Sequence, residues 1–208
     1  MASMARREKA RRDLLLDAAR KLFFTRGYEA TRMEDVATAA GFSKRTVYLE
    51  FPSKGALFAT LCEEAIGILQ NLLVPILGHR HDDVIAQFHT IATTYLSFYA
   101  KHRGHYRVLF LQSSDAVFSD VPPAQKKRLR EAEATCVGVL AHTIDRARAE
   151  GVVRKELAAW PYAVAVWGSL NGILLIEEQA FRADLAGVPV EELYWQTVDA
   201  FVRAGLAT

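Results

Sequence analysis

Residues 22–58 read LFFTRGYEATRMEDVATAAGFSKRTVYLEFPSKGALF, and the capping and turn residues in this run divide it into short helices. Thr31-Arg32-Met33-Glu34 has the pattern of a capping box, in which the threonine hydroxyl accepts from the Glu34 N–H and the glutamate reaches back to the threonine N–H. A short helix is therefore expected after Thr31, through Met33, Val36, Ala37 and Ala40, ending at Gly41, where positive φ costs nothing. Ser43 then caps a second short helix, about 44–51, with Val47 and Phe51 facing inward, before Pro52 and Ser53 interrupt it. Two short helices joined by a glycine turn, with basic residues opening the second, are the geometry that puts a helix into the major groove of DNA. Lys44 and Arg45 can donate to guanine O6 and N7, and the hydroxyls of Thr46 and Tyr48 suit phosphate oxygens. Taken alone, a basic capped helix with one tyrosine is also an ordinary solvated surface.

Upstream, residues 13–26 predict a first helix, with Leu14 or Leu15, Ala18, Leu22 and Phe23 on one stripe and Gly27 just past its end. The charge distribution is asymmetric, and on charge alone both a polyanion-binding module and a solvated lysine and arginine face stand. The whole chain carries 26 Lys+Arg against 24 Asp+Glu, a formal net charge of +2, but residues 1–54 hold 12 basic and 7 acidic residues. A basic end on a mildly acidic body suggests a module for a polyanion joined to a domain with another task. The arginine-rich arm before Asp13 has two readings: it follows the minor groove, or it lies disordered.

The same run carries a recognisable pattern. Phe23, Gly27-Tyr28, Thr31, Val36-Ala37, Ala40-Gly41, Ser43, Thr46, Tyr48, Phe51 and Ser53-Lys54 stand in register with it, and residues 22–58 resemble the N-terminal DNA-binding domain of the TetR (tetracycline repressor) family of bacterial transcriptional regulators. The resemblance implies DNA contacts from Thr31, Arg32, Ser43, Lys44, Arg45, Thr46, Tyr48 and Lys54. Thr31 and Ser43 would begin the two helices near phosphates, Lys44 and Arg45 would face base edges, Thr46 and Tyr48 would hold the backbone, and Lys54 would meet a further phosphate. Two positions depart from the pattern: Glu50, where an aromatic or histidine is frequent and a carboxylate would repel phosphate, and Gly55, where a glutamate often follows the lysine.

The remaining chain reads as helical throughout, because apolar residues recur at three and four and alternating strand patterns are scarce. Helices are expected from Lys54 to near Pro75, over 84–100, 103–111 and 124–150, from Pro161 in a first turn to about Phe181, and after Pro189. Residues 78–83 read as a linker. At 208 residues with 51% hydrophobic and 24% charged content, the chain can bury about 70% of its extended surface, which excludes a disordered chain. Cys62 and Cys136 are too few for a disulfide framework or a four-thiolate zinc site, and the opening MASMARREKARR lacks the apolar stretch of a signal peptide. Residues 157–176 carry no charge over a length that could span a bilayer. Pro161, Gly168, Ser169, Asn171 and Gly172 within it favour a buried helix, so no membrane partner is expected.

By resemblance, the fold is all-α, with a helix-turn-helix three-helix domain over 1–54 and a larger helical ligand-binding and dimerisation domain over 55–208. The expected partners are a palindromic double-stranded operator, a second copy of the chain and a small apolar or amphipathic effector, in the bacterial cytoplasm and on the nucleoid when DNA-bound. A helix apolar on nearly all sides needs cover on nearly all sides, which independently suggests a partner at residues 161–176. Candidate interface residues are Trp167, Leu170, Ile173, Leu174, Tyr194, Val198 and Phe201. Candidate pocket residues are His89, Tyr95, Phe98, His102, Phe110, Gln112, Trp167 and Asn171, polar handles within an aromatic-rich region. His79, His81, Asp82 and Asp83 supply metal-binding atoms and resemble part of the HxHxDH of binuclear zinc hydrolases, but Val84 stands where the last histidine belongs, so neither metal nor cofactor is expected. Ser113, Ser114 and Asp115 lack any GxSxG-like context, and no enzyme is expected. The alternatives are an activator or ligand-independent regulator and, from another class, a helical enzyme whose basic end is incidental.

Overall fold

In the computed structural model, residues 2–78, 83–110, 116–179 and 187–206 are described, and among them nine helices and no strand occur. Helix α1 spans Ala2–Arg26, α2 Met33–Ala40, α3 Lys44–Glu50, α4 Lys54–Gly78, α5 Val84–Lys101, α6 Arg103–Phe110, α7 Pro123–Ala149, α8 Ala159–Glu178 and α9 Val190–Gly205. They form two compact units: Met1–Gly67 with His102–Glu131, and Ile68–Lys101 with Ala132–Thr208. The division of function expected at 54/55 falls inside the first unit, because α4 passes through it unbroken.

Three helix boundaries differ from expectation. Helix α1 begins at Ala2, not Asp13, because alanine, arginine, lysine and glutamate are strong helix formers and no glycine or proline stops them. The segment expected as an arm is thus the first turns of a helix. Its buried stripe runs through Leu15, Ala18, Ala19 and Phe23, and Leu14 faces outward at 53% exposure. Helix α4 continues past Pro75 to Gly78, since a proline in the final turn removes a single i→i−4 bond. Helix α8 ends at Glu178; Phe181 lies outside the described residues, as do His79, His81, Asp82, Gln112, Ser113, Ser114 and Asp115.

The first unit is held by an aromatic triangle. Phe23 stacks on Tyr28 at 5.9 Å between ring centroids, and Phe58 meets both edge-on, at 5.4 and 5.0 Å. Gly104 lets α6 approach α1 so closely that a Cβ there would sit 2.3 Å from the Phe24 ring. The unexpected Gly55 has a similar cause: a Cβ would meet Asp120 Oδ1 at 1.9 Å, so no glutamate fits.

Between α1, α4 and α6 the Arg20 guanidinium bonds Asp17 at 2.6 Å and Glu64 at 2.8 Å, while His105 Nε2 stands 3.5 Å from Glu64, at the limit of hydrogen bonding. His105, and then Arg20, hold the Glu64 carboxyl down at about 2. A carboxyl depressed on folding stabilises above its unfolded value near 4.3 and loses that contribution as pH falls toward 2. Glu64→Gln should therefore melt below the wild type at neutral pH, and the gap should close as the buffer approaches about pH 2. A gap that stays constant across that range would show that the charge is not what matters.

In the second unit α8 and α9 pack together, with Tyr162 edge-on to Phe201 at 5.6 Å and the Tyr194 hydroxyl donating to the Ala92 carbonyl at 2.8 Å. Helices α4 and α8 are long and apolar enough to cross a membrane by length and composition. Helix α8 nevertheless buries one side of itself in the unit, through Ala163, Val166, Leu170, Asn171, Ile173 and Leu174.

Candidate DNA-reading surface and effector cavity

Helices α2 and α3 are joined by Gly41, at φ +73°, whose N–H bonds Thr38 O, followed by Phe42, whose N–H bonds Ala37 O. Only glycine takes that backbone conformation without strain. Ser43 caps α3, its Oγ accepting from the Thr46 N–H at 3.2 Å, and the two hydroxyls lie 2.9 Å apart. Val47 is fully buried, as is Val36, which pins the helix pair to α1.

With 100° per residue, Lys44, Tyr48, Arg45 and Leu49 follow one another around the exposed side of α3. Lys44 pairs with Glu34 and lies 5.7 Å from the Tyr48 ring; the pair raises the lysine and lowers the glutamate. Among the described residues Arg45 has no hydrogen-bonding or ionic partner, whereas the exposed Arg32 adds, after Lys44, to the positive charge that lowers Glu34. Leu49, not singled out in the sequence, is 76% exposed beside Arg45. Its spacing of four from Arg45 was the available signal.

Glu50 turns away from that arc. Its carboxylate pairs with Arg11 of α1 and is bonded by Arg11 Nε at 2.8 Å, so the expected repulsion from phosphate is neutralised within the unit. The helical N-terminal segment supplies that partner, and Arg12 covers the Phe51 ring at 4.5 Å.

Two expected contacts are corrected. Thr31 is not a cap: α2 is capped at Arg32, whose N–H bonds Asp35 Oδ2 at 2.9 Å, one residue later than the Thr31/Glu34 pattern suggests. Thr31 is fully buried and donates to the Gly27 carbonyl at 2.8 Å, as a buried hydroxyl requires, and so cannot meet a phosphate. Lys54 is held inside the unit: its Nζ donates to Tyr28 O at 2.9 Å and Thr31 O at 3.1 Å, and sits 4.0 Å from the Tyr28 ring centroid. It locks the α1–α2 turn to the start of α4.

Among the described residues of the second unit lie two apolar pockets of about 40 and 50 Å³, each partly open to solvent. Tyr95 and Trp167 line the larger, with Leu69, Phe88, Cys136 and Leu170. Asn171 stands behind that wall, accepting from the Tyr95 hydroxyl at 2.7 Å. The other expected pocket residues lie elsewhere. Phe98 is fully buried core, and His89 stacks outward on Trp195 at 6.0 Å, 3.8 Å from Asp199. His102 and Phe110 belong to the first unit, where they meet the rings of His105 and Tyr106.

Comparison with known proteins decides the family. The profile of bacterial regulatory proteins of the tetR family matches residues 15–61, and that of the tetracyclin repressor-like C-terminal domain matches residues 88–201. The chain belongs to the TetR family. It is a DNA-binding transcriptional regulator by that membership, and the family's members are not enzymes. The HTH-type transcriptional repressor ComR of Escherichia coli is 44% identical over 55 residues, 26% of each chain, so that match spans about a quarter of ComR. The activator FasR of Mycolicibacterium smegmatis is 25% identical over 79% of this chain and 85% of its own. The fold matches a transcriptional regulator of Saccharomonospora viridis in complex with choline, with TM-score 0.74 and 20% identity, covering 95% of this chain and 98% of that one.

Within this TetR chain the expected interface residues turn inward. Leu170, Ile173, Leu174, Tyr194 and Val198 are buried in their own unit, Phe201 packs on Tyr162, and Trp167 is half-buried at the cavity. The exposed side of α8 carries Pro161, Val164, Ala165, Gly168, Ser169 and Gly172 instead. A helix apolar all round gives no sequence signal for which side faces its own core.

Proposed function

We propose that this TetR-family protein is a repressor that binds a palindromic operator as a homodimer and is released by a small apolar effector. Residues 1–54 read DNA and residues 55–208 sense the effector and dimerise, in the cytoplasm and on the nucleoid when bound. The observation that carries the reading is the exposed arc of α3, on which Arg45 stands unpaired between Tyr48 and Leu49. Arg45 reaches guanine O6 and N7, the leucine methyls suit a thymine C5-methyl, and Lys44, Tyr48, Arg32 and the capped Ser43–Thr46 turn face the sugar-phosphate backbone.

Two copies present two such helices to major grooves about 34–36 Å apart on one DNA face. An effector acts only by preferring a state in which that separation is lost. The outward apolar face of α8 supports the dimer, and the uncharged cavity at Trp167 supports the effector.

Arg45→Ala should relax sequence preference by about 1–3 kcal/mol at one base pair per half-site, read by quantitative binding to operator variants. Equal affinity of mutant and wild type for every variant sequence would remove Arg45 from base reading. Because FasR is an activator, the direction of control needs its own test. Deleting this gene should raise expression from its operator in a reporter strain, and a fall would make the protein an activator.

A further inference from the structure

The first turns of α1 run clear of the packing that holds the rest of the helix. Its buried stripe starts at Leu15, and every residue from Arg6 to Ala10 is exposed. What fixes the direction of these turns is the end of α3. Arg11 pairs with the Glu50 carboxylate, Arg12 Nη1 donates to the Glu50 carbonyl at 3.4 Å, and the Arg12 guanidinium lies over the Phe51 ring at 4.5 Å. A segment outside the core is thereby anchored to the C-terminal end of the helix that carries Arg45 and Leu49.

Arg11 and Arg12 mark the side of α1 that faces α3. At about 100° per residue, Arg7 and Lys9 flank that side one turn earlier, and Arg6 points about 170° away from its middle. Glu8 falls between Arg7 and Lys9, three and four residues before Arg11 and Arg12, where helix spacing sets its carboxylate against cations. Arg6, Arg7 and Lys9 hold no ion pair or hydrogen bond among the described residues. Arg7 stands four residues before Arg11 and Lys9 three before Arg12, and like charges at those spacings destabilise a helix on its own. A polyanion laid along this side offsets that repulsion.

We infer that Arg7 and Lys9 hold the phosphates of the operator duplex just outside the bases that α3 reads. This rests on the reading of α3 as the DNA-reading helix and adds a second contact surface to it. A helix about 10–12 Å across does not enter a minor groove about 6 Å wide, so this segment meets the backbone alone and carries no base preference. From Arg11 to Arg7 the helix rises about 6 Å, which spans about two nucleotides of one strand.

The test uses the full-length protein and a duplex that the wild type recovers from a random-sequence pool, with affinity measured by fluorescence anisotropy at several salt concentrations. In the double variant Arg7→Ala/Lys9→Ala, the slope of log affinity against log salt should fall by about 0.9 for each of the two contacts in each bound copy. The sequence recovered from the pool should stay the same. Arg6→Ala should leave the slope unchanged, and Arg7→Lys with Lys9→Arg should keep it, because the contact is made to charge. Uncharged methylphosphonates at the two nucleotides flanking the half-site should flatten the wild-type slope and leave the double variant unmoved. These are exposed helix positions and alanine is the best helix former, so circular dichroism should show the fold retained. An unchanged slope in the double variant, a changed preferred sequence, or an equal loss from Arg6→Ala, the mark of a diffuse charge effect, overturns the proposal. If the wild type recovers no sequence at all, the DNA-reading role of α3 falls and this contact falls with it. If the double variant has no effect while Arg45→Ala still relaxes sequence preference, this contact alone is removed.

Discussion

Lys54→Ala is expected to destabilise the first unit by about 2–4 kcal/mol while leaving the salt dependence of DNA binding unchanged. The ammonium donates to the carbonyls of Tyr28 and Thr31, at 2.9 and 3.1 Å, and lies over the Tyr28 ring. The two hydrogen bonds to a charged group contribute about 1.5–3 kcal/mol each before water replaces them, and a cation on an aromatic face about 0.5–1 kcal/mol at a half-exposed site, so the net of about 2–4 kcal/mol lies below the gross sum. Water taking the place of the ammonium at both carbonyls accounts for that reduction. If Lys54 met a phosphate instead, its loss would reduce the salt slope by about one and leave the fold untouched. Urea unfolding followed by circular dichroism, with binding at two salt concentrations, separates the two roles. An unchanged urea midpoint with a flatter slope would return Lys54 to the DNA contacts.

The contrast between Lys54 and Arg45 shows what the sequence could convey. Short helices closed by a left-handed glycine and a serine cap are local objects, so Gly27, Gly41 and Ser43 carry their own geometry and α2 and α3 were legible. Thr31/Glu34 and Arg32/Asp35 both fit the three-residue spacing of a cap, and only burial of the threonine decides between them. The basic N-terminal segment carries helix propensity as well as charge, and the same Arg11 that suggests a DNA arm is what neutralises Glu50. Partners distant in sequence, such as Lys54 with the Tyr28 carbonyl, follow from no spacing rule.

The second unit was less legible for a related reason. Aromatic residues mark a helical core without marking its voids. Tyr95 and Trp167 therefore came out at the cavity, but Phe98 filled space and His89 turned outward. Every side of α8 is apolar, so its composition predicted cover without predicting which side the protein's own core supplies.

That ambiguity fixes the prediction for the dimer. Val164→Arg should convert the protein to a monomer at micromolar concentration with its melting temperature nearly unchanged. Val164 is 41% exposed in the single chain, and a Cβ at Gly168 or Gly172 would meet nothing within 4 Å, so nothing in the protomer itself requires small or apolar residues there. An arginine on this face is solvated in the monomer, but between two α8 helices it would be buried unpaired beside its symmetry mate. Losing the link between half-sites should weaken binding to the full palindrome about 100-fold or more, because the second half-site no longer benefits from effective concentration. Leu174→Ala is the complementary variant: Leu174 is fully buried within its own unit, so truncation should cost about 2–5 kcal/mol of stability and leave the dimer intact. Sedimentation velocity with thermal melting reads both. If Val164→Arg sediments as a dimer while Leu174→Ala dissociates, the two sides of α8 have been exchanged, and the inward set from Leu170 to Leu174 becomes the interface after all.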